Sequence, residues 1–357
     1  MEEPNQEREE EDIDIHKNIQ IKPNKKTIQH LVISGGGTYG LYAYGVLKET
    51  QQQNVWSAQD IQTCHATSIG TLLSVIILLD YDWETLDKFI VKRPWYQLFQ
   101  YDITQCIDSF DRCGMYDKTI LEKSLNPLLK GVDMDIDITM DEFYIKTGTQ
   151  LYFYAVEINS FSLEVFTHET HPDMKLLDAI YASCSLPMIF QPLYLSEEKA
   201  YLDGGLFLNY PIQECLRITQ ADPDEVLGVY KNLKQIHSTN NLQENANFLD
   251  YSMVILRKMI KYMNQGKRCE ECKMQFEIED GYMSFEEMYN IVANEEVRKN
   301  MIEKGALIAQ NVLIQLSDEG NDREDEENEK EEGEEELKTS LNLNQEIAPQ
   351  TFSSCLS

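Results

Sequence analysis

Short apolar runs alternate with longer stretches of helical periodicity along most of the chain. Residues 31–33 form a β-branched run that predicts a buried strand, and 61–66 are predicted as the second strand. Helices are predicted at 39–49, 69–79, 83–92, 117–130, 176–183 and 211–218, and further strands at 151–158, 163–167 and 226–230, with 226–230 as the last strand. This alternation predicts an α/β fold with a mostly parallel central sheet covered by helices on both faces.

Polar residues beside the apolar runs indicate where several helices begin. Asp82 directly precedes the helix at 83–92 and is predicted to cap it. Thr139 and Glu142 have the spacing of a capping box, which predicts a helix after Thr139. Pro211 is expected at the first position of its helix.

The two ends of the chain are acidic and poor in apolar residues. The 357 residues carry a net charge of −31, and the segments 1–27 and 318–357 hold much of the acidic excess. We expect both segments to be disordered, because so few apolar groups cannot offset the ordering entropy. The tail 318–357 fits either a solubilising role or the binding of an unknown protein partner. Between the ends we expect a main domain at 28–230 and a mainly helical extension at 231–317 that packs on it.

The composition argues against several classes of protein. The acidic excess disfavours nucleic-acid binding, the first residues lack the features of a secretory signal, and the longest apolar run, 72–79, is too short to cross a bilayer. The eight cysteines are irregularly spaced and are expected to be reduced. Cys269 and Cys272 form a C-x-x-C without a second pair, so no zinc site is predicted. We expect a cytoplasmic protein that touches membranes only at their surface.

Ser68 is the candidate nucleophile. It follows the strand at 61–66 and precedes an almost entirely apolar helix, an arrangement that resembles a nucleophile elbow. Such a turn needs small residues two positions before and after the serine, and Ala66 and Gly70 meet this requirement. An ordinary strand–turn–helix with a capping serine fits this segment equally well.

A glycine cluster after the first strand is the candidate oxyanion hole. Gly35, Gly36 and Gly37 leave successive backbone N–H groups that can point at one anion. Together with Gly40 they also match a dinucleotide-binding fingerprint, which requires an acidic residue at the end of the second strand. Asp60 precedes that strand instead, so the dinucleotide alternative is disfavoured.

Asp203 is the candidate base. Gly204 and Gly205 follow it and allow close approach of the backbone, although an ordinary Asp-Gly turn has the same pattern. Of the six histidines only His237 follows Asp203, as a Ser–Asp–His order requires, and it lies in a polar stretch. His65 is interpreted as a packed strand residue. A dyad of the serine with Asp203 is therefore the simpler hypothesis.

Taken together, these blocks resemble the patatin-like phospholipase family. In that family a G-G-G-x-R/K-G loop forms the oxyanion hole, G-x-S-x-G carries the nucleophile, and D-G-G/A carries the base of a catalytic dyad. A fourth block, A-S-x-x-x-P-x-x-F-x-P, matches residues 182–192, and Asn209-Tyr210-Pro211 is similar too. The resemblance covers about 28–230 and implies a patatin-like three-layer α/β/α fold.

The resemblance implies that 28–230 is a catalytic domain that hydrolyses fatty-acyl esters of phospholipids or related lipids through an acyl-enzyme, without a metal or cofactor. It implies a dyad of Ser68 and Asp203, a lipid substrate as the main partner, and transient contact with a membrane surface. Two positions depart from the pattern. Ala66 replaces the first elbow glycine, and Tyr39 stands where the family prefers Arg or Lys, which removes a cation beside the glycine loop.

Two alternatives stay open at this point. A catalytically weak or silent lipid-binding protein of the same fold is the second functional hypothesis, and the intact Ser68 and Asp203 favour the enzyme. The predicted helix at 251–263 combines apolar residues at helical spacing with adjacent basic residues. This pattern fits a membrane-surface helix, but a helix that covers the core is the commoner case.

Overall fold

One large mixed sheet organises the described part of the chain. The computed structural model describes residues 26–100, 109, 111–232, 242, 244, 248–264, 269, 271–279 and 285–318. The strands are β1 His30–Ile33, β2 Thr63–Thr67, β3 Gly114–Tyr116, β4 Gln150–Glu157, β5 Ser162–Phe166, β6 Met188–Phe190, β7 Leu193–Tyr194, β8 Ala200–Asp203, β9 Val226–Lys231 and β10 Gln275–Ile278. The helices are α1 Gly40–Gln52, α2 Ile69–Leu78, α3 Trp83–Lys92, α4 Thr119–Gly131, α5 Met140–Thr147, α6 Leu176–Cys184, α7 Ile212–Thr219, α8 Phe248–Met263, α9 Phe285–Ala293 and α10, residues 295–318.

The strand order confirms the predicted fold class. The sheet runs β10-β9-β1-β2-β4-β8-β7, and β5 also pairs with β4. The first five strands of this order are mutually parallel, whereas β8 and β5 run antiparallel to β4. Helices α1, α2, α6 and α7 pack against these strands, so the sheet is mostly parallel and flanked by helices.

The register of the sheet brings the three candidate segments together. Ile33 at the end of β1 pairs with Ala66 near the end of β2, so the glycine loop and Ser68 leave the sheet at the same edge. Thr67 pairs with Tyr154 of β4, and the next β4 residue pairs with Asp203 at the end of β8. Residues far apart in the chain therefore meet at the carboxyl ends of β1 and β2.

The helix starts largely follow the polar signals in the sequence. The Asp82 side chain accepts a hydrogen bond from the Thr85 N–H at 2.8 Å, which caps α3. Thr139 and Glu142 form the predicted capping box of α5. Pro211 is the N-cap of α7 instead of its first residue, because the helix begins one position later than predicted.

The prediction that 226–230 is the last strand is wrong. Residues Gln275–Ile278 form β10, which pairs in parallel with the outer edge of β9. The segment has only four residues, and two of them are polar, so it carries no strand signal strong enough to stand out among the helical patterns around it. Its extended conformation is fixed by pairing with β9, which is a tertiary effect.

The extension after residue 230 shares the core of the preceding domain. A Cβ placed on Gly45 of α1 would lie 2.1 Å from the Ile302 carbonyl oxygen, and one placed on Gly305 would lie 2.1 Å from the Tyr42 carbonyl oxygen. The backbones of α1 and α10 are thus in direct contact at two glycines. Leu313 of α10 is fully buried in the main hydrophobic core. Residues on both sides of position 230 therefore contribute to one hydrophobic core.

The acidic segments predicted to be disordered lie outside the described residues, apart from positions 26, 27 and 318. Within the described ranges, no helix is both long and apolar enough to cross a membrane.

Candidate active site

Ser68 lies on a strained turn between β2 and α2. Its backbone has φ 53° and ψ −130°, a conformation that residues with a Cβ rarely adopt. The turn packs tightly against β1, because a Cβ on Gly70 would lie 2.4 Å from the Ile33 carbonyl oxygen. The side chain of Ser68 stays half-buried at the N-terminus of α2, where the helix dipole favours negative charge. This is the geometry of a nucleophile elbow.

Asp203 is directly hydrogen-bonded to this serine. The Ser68 Oγ donates to Asp203 Oδ2 at 2.6 Å, and the Gly205 N–H donates to Oδ1 at 2.7 Å. A Cβ on Gly204 would lie 2.0 Å from the Tyr154 carbonyl oxygen, so the glycine after Asp203 allows the turn to pack on β4. The two carboxyl oxygens are therefore fixed by different donors.

Burial changes the acidity of Asp203. The residue is 3% exposed, and its desolvation raises the pKa of the carboxyl group to about 6. The hydrogen bonds from Ser68 and Gly205 act in the opposite direction but do not cancel this effect. At neutral pH the carboxyl group is mostly ionised, yet it is a stronger base than an exposed aspartate.

The glycine loop divides into a structural part and a part with available donors. The Gly35 N–H already donates to the Asn209 carbonyl at 3.0 Å, and a Cβ on Gly35 would lie 3.0 Å from the Cβ of Ser68. Within the described residues, the N–H groups of Gly36 and Gly37 have no acceptor. The geometry thus narrows the predicted oxyanion donors from Gly35, Gly36 and Gly37 to the last two.

Gly37 and Gly40 have separate reasons to be glycine. Gly37 has φ 58°, in the left-handed region. A Cβ on Gly40 would lie 2.6 Å from the Ile69 Cγ1, so this glycine lets α1 approach the start of α2. A side chain at Gly37 would strain the backbone, and a side chain at Gly40 would clash with Ile69.

A cation lies beside the loop although position 39 holds a tyrosine. Tyr39 is buried, and the Lys231 Nζ lies 3.2 Å from the centroid of its ring. The Lys231 Cδ would be 3.8 Å from a Cβ placed on Gly36. The family pattern has a cation at position 39, and this chain has a tyrosine there. Lys231, at the end of β9, places an ammonium group beside the loop instead.

Three polar residues with no assigned role support the site. The Ser183 Oγ accepts a hydrogen bond from the Ser68 N–H at 2.9 Å and donates to the Tyr154 carbonyl at 2.6 Å. Asn264 donates to the Gly205 carbonyl at 2.9 Å and accepts from the Asn209 N–H at 2.7 Å. Ser183 lies in the motif block 182–192 and Asn209 in the block 209–211, whereas no local pattern distinguishes Asn264.

The described histidines do not take part in this arrangement. His65 is fully buried, with its Nδ1 2.8 Å from the Tyr154 hydroxyl, and burial lowers its pKa to about 3. It is neutral and packed, as the sequence suggested. His30, His168 and His171 make no hydrogen bond to Ser68 or Asp203 either. His237, the alternative triad member, lies outside the described residues.

An apolar cluster lies next to Asp203. Leu202 and Leu206 flank the Asp-Gly-Gly turn and pack with Ile189, Met253 and other buried residues, and Phe207 is partly buried against them. Cys184 is buried close to Ser68, and burial raises the pKa of its thiol, so the thiol stays protonated near neutral pH.

The chain is similar in sequence to a known family and to individual proteins. Residues 31–216 match the patatin-like phospholipase family. The chain is 26% identical over 197 residues to "Probable lipid hydrolase 463L" of Invertebrate iridescent virus 6, and the match covers 55% of this chain and 66% of the viral protein. It is 24% identical over 201 residues to "Triacylglycerol lipase ptl2" of Schizosaccharomyces pombe, over 52% of this chain and 30% of the yeast protein. In both cases the match spans less than two thirds of the relative's length.

Among solved structures, VipD from Legionella pneumophila is similar with a TM-score of 0.43 and 14% identity, over 78% of this chain and 67% of that chain. The family match alone covers more than half of the sequence and includes all three candidate segments. The chain therefore belongs to the patatin-like phospholipase family.

Proposed function

We propose that this chain is a lipid acyl hydrolase that cleaves fatty-acyl ester bonds of phospholipids or related lipids through Ser68 and Asp203. The observation that carries the proposal is the 2.6 Å hydrogen bond from the Ser68 Oγ to the buried Asp203 carboxylate. Family membership and the lipid hydrolase name of a viral relative support the substrate class. A silent lipid-binding protein would not need to retain a strained serine paired with a basic carboxylate.

The first half of the reaction forms an acyl-enzyme. The Ser68 Oγ attacks the ester carbonyl carbon while its proton moves to Asp203 Oδ2. The carbonyl oxygen becomes an oxyanion within reach of the N–H groups of Gly36 and Gly37. When the tetrahedral intermediate collapses, the bond to the leaving alcohol breaks and Asp203 returns the proton to that alcohol.

The second half reverses these roles with water. Asp203 accepts a proton from a water molecule, the resulting hydroxide attacks the acyl carbonyl, and the same glycine donors stabilise the second oxyanion. Collapse breaks the bond to the Ser68 Oγ, which recovers the proton from Asp203. The products are a fatty acid and the free enzyme. A carboxyl group with a pKa of about 6 suits both directions of proton transfer near neutral pH.

The apolar cluster beside the site suits the acyl chain. Leu202, Leu206 and Phe207 border the turn that carries Asp203, and Met188 packs against the same cluster. An acyl chain that enters along these side chains would place its carbonyl near Ser68. Transfer of its methylene groups from water to such surfaces contributes about 0.8 kcal/mol for each buried group.

The proposal is tested with a chromogenic four-carbon ester and a fluorophosphonate probe. Ser68→Ala should lower kcat by at least about a thousandfold, while its Tm stays within a few degrees of the Tm of the natural sequence. The probe should label Ser68 in the natural chain. Ser162→Ala, at an exposed position in β5, serves as the matched control and should keep full activity and labelling.

Labelling of another residue, together with an active Ser68→Ala variant, would rule the mechanism out. A natural chain that neither turns over esters nor reacts with the probe would favour the silent lipid-binding alternative.

A further inference from the structure

Helix α8 carries apolar side chains on two opposite faces. Met253 and Leu256 are buried, and together with Ile260 they pack against the cluster that contains Leu206. The opposite face is formed by Tyr251, Ile255, Met259 and Tyr262, which are 46%, 40%, 51% and 74% exposed. These four positions are three or four residues apart, so they form one stripe along the helix, about 16 Å long.

Such an outer face is unusual for a helix that only covers a core. A helix of that kind has polar residues toward solvent, whereas this one presents two tyrosines, an isoleucine and a methionine. Contiguous apolar surface of this kind marks an interaction site.

The charges beside the stripe favour one kind of partner. Lys258 is exposed next to Ile255 and Tyr262, and Lys261 lies on the same flank. The helix contains three basic residues and one acidic residue, although the whole chain has a net charge of −31. An apolar stripe with aromatic and basic residues at its margin is the pattern of a helix that lies in the headgroup region of a bilayer. The basic flank is complementary to lipid phosphates.

The end of α8 is attached to the candidate active site. Asn264, the first residue after the helix, donates to the Gly205 carbonyl and accepts from the Asn209 N–H. The inner face packs on Leu206, three residues after Asp203. A surface that receives the outer face of α8 would therefore be separated from the cluster beside Asp203 by the width of one helix, about 10 Å.

We propose that the outer face of α8 docks on the surface of a phospholipid bilayer, with the stripe inserted at the boundary between headgroups and acyl chains. Lys258 then faces lipid phosphates, and Lys261 adds positive charge on the same flank. The biological reason for docking rests on the proposed function, since it delivers lipid to the site. Docking itself does not depend on turnover, so the two can fail separately.

Vesicle binding of the full chain carrying Ser68→Ala tests this surface without turnover. Phosphatidylcholine vesicles, with and without phosphatidylglycerol, are sedimented with the protein. The pair Met259→Glu and Tyr262→Glu should reduce partitioning at least tenfold on both vesicle types, because it removes apolar groups and adds charges that must stay hydrated. Ile145→Glu on α5, where the isoleucine is 72% exposed, is the matched control and should bind normally.

A second pair separates the electrostatic contribution. Lys258→Glu with Lys261→Glu should weaken binding to vesicles with phosphatidylglycerol and remove its salt dependence, while binding to pure phosphatidylcholine changes less than twofold. With Ser68 restored, both pairs should hydrolyse the four-carbon ester within twofold of the natural chain.

The outcomes distinguish the possible occupants of this face. The proposal is overturned if the Ser68→Ala chain does not bind vesicles. It is also overturned if Ile145→Glu loses as much vesicle binding as the Met259→Glu and Tyr262→Glu pair. A dimer that the Met259→Glu and Tyr262→Glu pair dissociates, without vesicle binding, assigns the face to a second copy instead. If the Met259→Glu and Tyr262→Glu pair loses turnover of the four-carbon ester as strongly as it loses vesicle binding, the stripe acts on the active site. That result also overturns the docking proposal. Normal docking by a natural chain without esterase activity supports the docking surface and rejects the proposed function.

Discussion

The turn at Ser68 and helix α8 both border the Ser68–Asp203 pair, but they are packed in different ways. At the turn, small residues are required because neighbouring backbone leaves no room: the position of a Cβ on Gly70 is 2.4 Å from the Ile33 carbonyl oxygen. On the outer half of α8, large side chains such as Tyr262 are mostly exposed. The turn therefore constrains the size of its residues, whereas the outer face of α8 constrains their polarity. Substitutions at the turn should change stability and turnover. Substitutions on the outer face of α8 should change surface binding.

The largest expected effect comes from Asp203→Asn, which changes the hydrogen-bond partner of Ser68. The variant keeps the shape of the side chain but removes the base, so kcat on the four-carbon ester should fall at least about a thousandfold, as for Ser68→Ala. Steady-state kinetics at pH 8 measure this loss. If His237→Ala, with its fold intact, causes the same loss, a histidine takes part and the dyad is wrong.

The same variant should show the pH dependence that burial of Asp203 creates. The folded-state pKa of about 6 exceeds the ordinary value of 3.8, so the folded chain binds this proton more tightly than the unfolded chain. Stability from this group is full below pH 3.8 and is lost as the pH rises through 6. The free energy of unfolding of Asp203→Asn relative to the natural sequence should thus rise by about 2 kcal/mol from pH 4 to pH 7.

For the natural sequence, kcat/KM should decrease about tenfold per unit below pH 6, because the protonated carboxyl group cannot act as a base. A flat profile between pH 5 and 7, or a denaturation difference that does not depend on pH, would contradict the assigned role.

Gly70→Ala is the next largest change. The added methyl group cannot fit against the Ile33 carbonyl, so the turn must shift and the free energy of unfolding should fall by about 3 kcal/mol. Displacement of Ser68 from Asp203 should also reduce kcat about a hundredfold. Chemical denaturation and ester kinetics measure the two effects. Gly148→Ala is a useful contrast, since its φ of 71° strains a side chain without any clash and without contact with the site.

Lys231→Met should have an intermediate effect. It removes the ammonium group beside the glycine loop while it keeps the contact with the Tyr39 ring, and kcat should fall about tenfold with little change in KM. Lys231→Arg restores a cation and should recover most of the activity. If Met and Arg at this position give the same kcat, the charge has no role in the reaction.

The smallest effect is expected on α8. Ile255→Ser replaces a side chain that is 40% exposed. The free energy of unfolding should change by less than about 0.5 kcal/mol, and the turnover of the four-carbon ester should change less than twofold. A large loss of stability would show that the outer face is packed against another part of the chain, and the contrast with the turn would disappear.

The elements near the site were predictable because their signals are local. The apolar run 31–33 predicts β1, the small residues around Ser68 predict the elbow, and Asp82 and Thr139 cap their helices as expected. The Ser68–Asp203 pairing was predicted only through the order of motifs, and the register of β4 with β2 and β8 explains why the two meet.

Other features depend on tertiary contacts that no local pattern encodes. β10 exists because β9 offers an edge, and the Gly35 N–H is occupied only because Asn209 lies opposite. Asn264 and Lys231 reach the site from distant parts of the chain, so their positions could not be inferred from spacing. The sequence showed that Tyr39 is unusual, but the fold was needed to reveal the nearby ammonium group.

The crossing of α1 and α10 has a consequence for the evolutionary history of this fold. Gly45 and Gly305 each lie against the backbone of the other helix, so a side chain at either position would push the pair apart. Selection must act on the two positions jointly, and they should covary among homologues that keep both helices. Descendants that lost the last helix would be released from this constraint and should accumulate larger residues at position 45. The residue at position 45 would then record whether a homologue inherited the C-terminal helix.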